Sequence, residues 1–281
     1  AGVICKLFAD DVKIYITIDS DSSINQLAMA LQKLCEWSSK WQLSINVLKC
    51  NVLHIGKCNP NYNYFLNGCL IQSFDHVRDL GVEVDDQLKF DHHIANVVSR
   101  AYQRLAILFK GFVSRDAKLL TRAYVVYVRP ILEYCSSVWS PHYLKDIDAL
   151  EQVQRYFTRR LHGFKHFCYS DRLLLLNLES LELRRLKADL NMYFKILNNF
   201  VDIDASTFFE SGINNYQTRG HNFKLRKDIC STDQQLNMFS NRVIDCWNWL
   251  PESVVNCKTV NSFKYCLNKI NFVDFLNGRA L

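Results

Sequence analysis

An α+β fold is predicted by three observations. Apolar residues alternate with period two only in about the first 90 residues, in short runs bounded by turn signals. Beyond His92-His93 the alternation gives way to apolar residues at helical spacing. Breakers are scarce: 281 residues hold four prolines and nine glycines, and 49% of the chain is hydrophobic. That is enough for a real core and too much for disorder. The expected architecture is antiparallel hairpins plus one helix over 1–90, a helical region over 91–200, and a linker with terminal helices over 201–281.

The first element is a hairpin. Val3, Ile4, Cys5 and Leu7 precede Asp10-Asp11; Val12, Ile14 and Ile16 follow on one face, with Lys13, Tyr15 and Thr17 on the other. Both carboxylates are expected at the tip. Adjacent carboxylates repel unless a cation lies between them, and Mg²⁺ prefers such hard oxygens. A plain turn also explains the pair, because Asp tolerates turn geometry and bonds nearby backbone.

Residues 19–42 read as an amphipathic helix. Ser and Asp at 19–23 are N-cap candidates, and Ile24, Leu27, Leu31, Leu34 and Trp41 recur near helical spacing. It is expected to cover the hairpin. The stretch from Leu43 to Cys50, with Lys49, then leads into a strand at Val52-Leu53-His54-Ile55. Asn67-Gly68 between Tyr64-Phe65-Leu66 and Cys69-Leu70-Ile71 is the preferred two-residue turn of a second hairpin. A third apolar-acidic alternation runs from Val77 to Asp85 around Leu80-Gly81. Gly81 fits either a close approach to nucleic acid or a bulge.

Phe8-Ala9-Asp10-Asp11 between two apolar strands resembles the aromatic-x-Asp-Asp box of reverse transcriptases, in the version found in non-LTR (LINE-type, Jockey-like) retrotransposons. Trp41-Gln42-Leu43-Ser44-Ile45-Asn46 with Lys49 is similar to the next motif of that family, and Leu80-Gly81 to its last palm motif. The three occur in family order. The resemblance implies a partial polymerase palm over 1–90, followed by a mostly α-helical thumb and C-terminal region. It implies Asp10 and Asp11 as catalytic metal ligands, Asp10 the main one, for two Mg²⁺ ions. It implies Lys49 beside the departing pyrophosphate, and Leu80 and Gly81 against the primer. The implied partners are an RNA template, a DNA primer and deoxynucleoside triphosphates.

Helices are expected at about 92–110, 114–128, 130–139, 144–163 and 171–200, then at 236–249 and 259–270. In the first, Ile94, Val97, Val98, Ala101, Leu105 and Leu108 face inward, opposite Arg100, Arg104 and Lys110. Such a face either tracks phosphates or is simply solvated. The string from Arg129 to Pro141, and Leu150-Glu151-Gln152-Val153-Gln154-Arg155 with the run from Thr158 to Gly163, resemble post-palm sequences of the same elements. Arg155, Arg159 and Arg160 lie on nearby faces and are candidate template contacts. The linker carries Arg219, His221, Lys224, Arg226 and Lys227 among Tyr216 and Phe223, a mixture suited to single-stranded nucleic acid or to a solvated loop.

Composition narrows the class. Net charge is +6 with a pI near 8.7, compatible with a polyanionic partner. The eleven cysteines are odd in number and irregularly spaced, which argues for reduced thiols in an intracellular setting, cytoplasm or nucleus. His162, His166 and Cys168 lack a neighbouring cysteine pair, so zinc is not expected. No run is long enough to span a membrane, and no signal peptide is seen. The chain opens Ala1-Gly2-Val3 inside a strand, as a fragment would. In the family a third carboxylate comes from an earlier palm strand, so the chain alone is expected not to polymerise. The alternative is a non-catalytic nucleic-acid-binding remnant of such an element.

Overall fold

The computed structural model describes residues 2–209, 221–227 and 229–277. It is α+β and divides into two compact units, Ala1–Leu88 and Lys89–Leu281. The expected architecture of hairpins followed by helices is present at that level.

In the first unit, β1 (Ile4–Phe8) and β2 (Asp11–Tyr15) form the first antiparallel hairpin, with Phe8 opposite Asp11 and Ile4 opposite Tyr15. The loop is therefore Ala9-Asp10, and Asp11 already begins the second strand. Ala9 carries the turn at φ 52°, a left-handed conformation unfavourable for a residue with a Cβ.

Helix α1 (Asp21–Trp41) ends on Gln42, whose φ of 56° stops it and whose N–H returns to the Ser38 and Ser39 carbonyls. Its apolar stripe does not cover the first hairpin. Ile24 is buried with Tyr64, Leu66 and Ile71, while Leu27, Leu31, Leu34 and Cys35 pack around them. The hairpin is left exposed along nearly its whole length. Trp41, at the helix end, is exposed rather than part of the stripe.

Strand β3 (Asn51–Val52) comes next. It is followed by β4 (Phe65–Leu66) and β5 (Cys69–Leu70), joined through Asn67 at φ 51° and Gly68 at φ 76°, both positive as a type I′ turn requires. β6 (Gln72–Ser73) pairs in parallel with β3. Last come β7 (His76–Asp79) and β8 (Val82–Asp85), turning on Leu80 and Gly81. Among the described residues all the sheets are two-stranded.

The second unit is helical. α2 (Asp91–Gly111) buries Ile94, Val97, Ala101, Leu105 and Leu108, as its spacing predicts. α3 (Ala117–Tyr127) is capped by Asp116, whose carboxylate accepts from the Leu119 N–H at 2.7 Å. The expected helix over 130–139 is two short ones, α4 (Arg129–Glu133) and α5 (Ser136–Trp139). Cys135 at φ 55° separates them, and the Trp139 indole donates to the Tyr134 carbonyl at 2.7 Å across the break.

α6 (Leu144–Arg160) packs against α2, and the Tyr124 and Phe157 rings stack at 4.3 Å. The expected helix over 171–200 is also broken, into α7 (Tyr169–Leu175) and α8 (Leu181–Leu197). Asn177 takes the left-handed turn, and the Ser180 hydroxyl accepts from the Leu183 N–H to start α8.

α9 (Asp233–Asn237), α10 (Phe239–Trp249), α11 (Glu252–Val255) and α12 (Val260–Leu267) complete the unit. α8 packs against α5 and α6 and also against α10 and α12. Trp247, Leu250, Phe263 and Leu267 close on Leu190, Tyr193 and Phe194 of α8 in one core. Arg242 fastens this assembly: it meets Asp189 through two bonds, at 2.8 and 3.1 Å, and donates to the Ser137 carbonyl at 2.7 Å. No helix among the described residues is long and apolar enough to cross a membrane.

Candidate catalytic and nucleic-acid site

The acidic pair sits at the end of the first hairpin because the two-residue loop places it there. Asp10 occupies the loop and Asp11 the first paired position of β2. Both are exposed, and neither enters an ion pair among the described residues. Phe8, opposite Asp11, is 65% exposed. The donor set suits one hard divalent ion whose remaining positions belong to water or phosphate. Among the described residues no third His, Cys, Asp or Glu joins the pair to make a protein-built metal cage.

Two further elements of the first unit carry candidate residues. Lys49 is the exposed last residue of a single 3₁₀ turn, Val47–Lys49, which Asn46 caps by accepting from the Leu48 N–H at 3.0 Å. Leu80 and Gly81 form the β7–β8 turn at φ 46° and 89°. Leucine in that conformation is strained, and its side chain is half exposed.

Sequence reasoning missed the contact that joins two of these pieces. Lys13, two residues after Asp11, salt-bridges Asp79, the residue before Leu80. The acidic hairpin and the Leu80-Gly81 hairpin are thereby tied together. No local pattern links residues so far apart in sequence.

On the second unit, Arg100 and Arg104 are exposed one turn apart on α2. The three arginines of α6 do not act as one group. Arg155 lies over the Tyr169 ring of α7, 4.5 Å from its centroid. Arg159 is exposed one turn further on. Arg160 instead lies over Phe109 at 4.9 Å and donates to the Tyr156 hydroxyl. The spacing of four keeps the first two on a common face, and the extra residue carries Arg160 around the helix.

His162, His166 and Cys168 are exposed in the loop beyond α6, which ends at Arg160. The helical i,i+4 argument for the two histidines therefore has no helix to act on. The segment 221–227, expected as a basic stretch for single-stranded nucleic acid or as a solvated loop, is a strap on α10. Trp247 donates its indole N–H to the Phe223 carbonyl at 2.8 Å, and Asn248 bonds both ways with the Leu225 backbone at 2.8 Å. Lys227 pairs with Asp245.

His221 of that strap is buried. Its Nδ1 accepts from the Phe223 N–H at 3.2 Å, so its Nε2 carries the proton and donates to the Trp247 carbonyl at 3.1 Å. Burial holds the ring below its usual pKa, against the opposing carbonyl bond. Arg219 and Tyr216 lie outside the described residues.

No family model and no solved structure matches the chain. Curated relatives do. It is 25% identical over 169 residues to the RNA-directed DNA polymerase from mobile element jockey of Drosophila funebris, and 24% identical over 169 residues to that of Drosophila melanogaster. Each match covers 57% of this chain but only 18% of the polymerase, a distant relation to one part of a much longer protein. It is 31% identical over 135 residues to uncharacterized protein B0403.1 of Caenorhabditis elegans, covering 46% of this chain and 68% of that protein. By that extent of shared sequence, the chain belongs to the family of B0403.1.

Proposed function

We propose that the chain corresponds to a portion of a non-LTR retrotransposon reverse transcriptase, an RNA-directed DNA polymerase working by two-metal nucleotidyl transfer. The observation that carries this reading is the Lys13–Asp79 ion pair. It draws the exposed Asp10-Asp11 turn and the Leu80-Gly81 turn onto neighbouring hairpins, and the distant relation to the jockey polymerases runs in the same direction.

In this reading Asp10 and Asp11 hold Mg²⁺. When bound, the two ions activate the primer hydroxyl and neutralise the triphosphate. Lys49 places a positive charge and a proton donor beside the departing pyrophosphate. Leu80 and Gly81 present backbone to the primer strand, where glycine permits close approach. Arg100 and Arg104 lie along the template backbone.

Primer extension on an RNA template, by a longer polypeptide that contains this chain, tests the proposal. Asp10→Ala is expected to cut the rate by about 10²–10³, the scale of losing one electrostatic stabiliser. Undiminished extension in that variant overturns it. The chain by itself is expected not to extend a primer.

A second reading, a nucleic-acid-binding remnant without catalysis, rests on the exposed Arg100 and Arg104 of α2, whose phosphate contacts would need no metal. It predicts RNA binding that ignores Mg²⁺ and no extension by the longer polypeptide.

A further inference from the structure

Arg172 of α7 was not a candidate in the sequence. Its side chain is buried to 7% exposure, and its Nε is enclosed without a hydrogen-bond partner. It faces the Tyr169 ring at 5.6 Å, the same ring that Arg155 covers at 4.5 Å. That ring is fixed in place: its hydroxyl donates to Glu151 and accepts from the Gln154 amide at 3.0 Å. Arg159 projects from the face of α6 that carries Arg155, and α6 packs against α7. Among the described residues no carboxylate forms an ion pair with Arg159 or Arg172.

Glu151 acts electrostatically on Arg155, but among the described residues no acid pairs with Arg159 or Arg172, and their like charges repel. Burial pulls the pKa of Arg172 below its usual value, and the charges of Arg159 and Arg155 add to the effect, against an opposing pull from Tyr169. A bound anion offsets the repulsion, and phosphate matches the guanidinium fork.

We propose that Arg155, Arg159 and Arg172 form a phosphate-binding corner between α6 and α7 that takes the backbone of a single-stranded polynucleotide. The anion site rests on the arginines alone; the choice of a polynucleotide rests on the reading proposed above. The connecting loop strengthens that choice. It exposes His162, Lys165 and His166 beside Phe167, whose ring is half exposed. Charge interleaved with an open aromatic face is what single strands need. A phosphopeptide would not require the ring.

The test uses the full chain, a fluorescein-labelled uridine RNA of about 15 nucleotides, and anisotropy in EDTA at low salt. The wild type is expected to bind with a salt-dependent affinity. Arg159→Ala is expected to lower the log–log salt slope by about 0.7, one single-strand phosphate contact. Arg159→Glu is expected to weaken binding at least about tenfold. Lys264→Ala, an exposed cation on α12, is the control and should leave affinity unchanged.

Arg172→Lys keeps the charge but loses the fork and should also weaken binding, with thermal melting to confirm folding. Because Arg159 is exposed, its variants remain informative even if Arg172→Lys fails to fold. Equal affinity in wild type and Arg159→Glu overturns the proposal. So does an equal loss in Lys264→Ala, or binding of inorganic phosphate or a phosphopeptide with none of the RNA. The assay contains no Mg²⁺ and reads no extension, so its failure is separate from failure of the polymerase reading.

Discussion

The two units bury their chains by different means. The first holds its core with Ile24, Tyr64, Leu66 and Ile71, and its strands remain in separate pairs. Two-stranded sheets are marginal in water without a covered face. Leu7, Phe8 and Val12 of the first hairpin stand in solvent. The second unit encloses whole rings, among them Trp139, Trp247, Tyr124 and Phe263. The difference teaches where each unit spends its order. The helical unit is over-determined by packing. The hairpin unit keeps its candidate residues exposed, on a scaffold that its own core barely stabilises.

The contrast is broken most severely at Glu151. This carboxylate is 1% exposed, accepts from the Tyr169 hydroxyl, and accepts from the Leu181 N–H at 3.0 Å at the start of α8. It also faces the buried positive charge of Arg185. Glu151→Ala leaves that charge and two donors unanswered. A loss of about 3–5 kcal/mol is expected in urea unfolding, the scale of breaking a buried pair. A loss below 1 kcal/mol would show that α6, α7 and α8 do not depend on this junction.

His221 is next. His221→Ala removes a partner from the Trp247 carbonyl and from the Phe223 N–H, and should cost about 1–3 kcal/mol. Its pKa is lowered in the fold, so the folded state binds fewer protons than the unfolded one. The stabilisation is complete above the ordinary value of 6.5 and is lost as pH falls through the folded value. Melting temperature should therefore drop on acidification below 6.5 in the wild type. That portion of the drop should vanish in the variant.

Two smaller effects sharpen the account of the hairpin unit. Leu80→Gly removes a left-handed leucine and should stabilise by about 1 kcal/mol, despite the greater freedom glycine gives the unfolded chain. A destabilisation would mean that the side chain matters more than the backbone strain. Lys13→Ala breaks an exposed ion pair and should cost under about 1 kcal/mol, read by denaturation at low and high salt. A larger loss would make the link between the two hairpins a stabilising element rather than a positional one.

Much of the local structure was legible because it is written at short range. Asn67-Gly68 demands its turn, and the stripe from Ile94 to Leu108 demands its helix. The breaks at Cys135 and Asn177 were not legible, since neither residue is a strong breaker and both helices continue in pattern beyond them. The buried face of α1 was read correctly from Ile24 to Leu34 but not at Trp41, and its partner was not. Amphipathicity says that a face is covered and leaves open by what.

The sequence by itself determined the α+β order, the acidic turn and the apolar faces, because propensity and periodicity act over a few residues. Tertiary structure alone decided that Lys13 meets Asp79, that Arg160 parts from Arg155 and Arg159, and that Arg172 joins them across the α6–α7 loop. Those outcomes depend on how helices and hairpins pack, and the free energy of packing is set by contacts between residues that no local pattern connects.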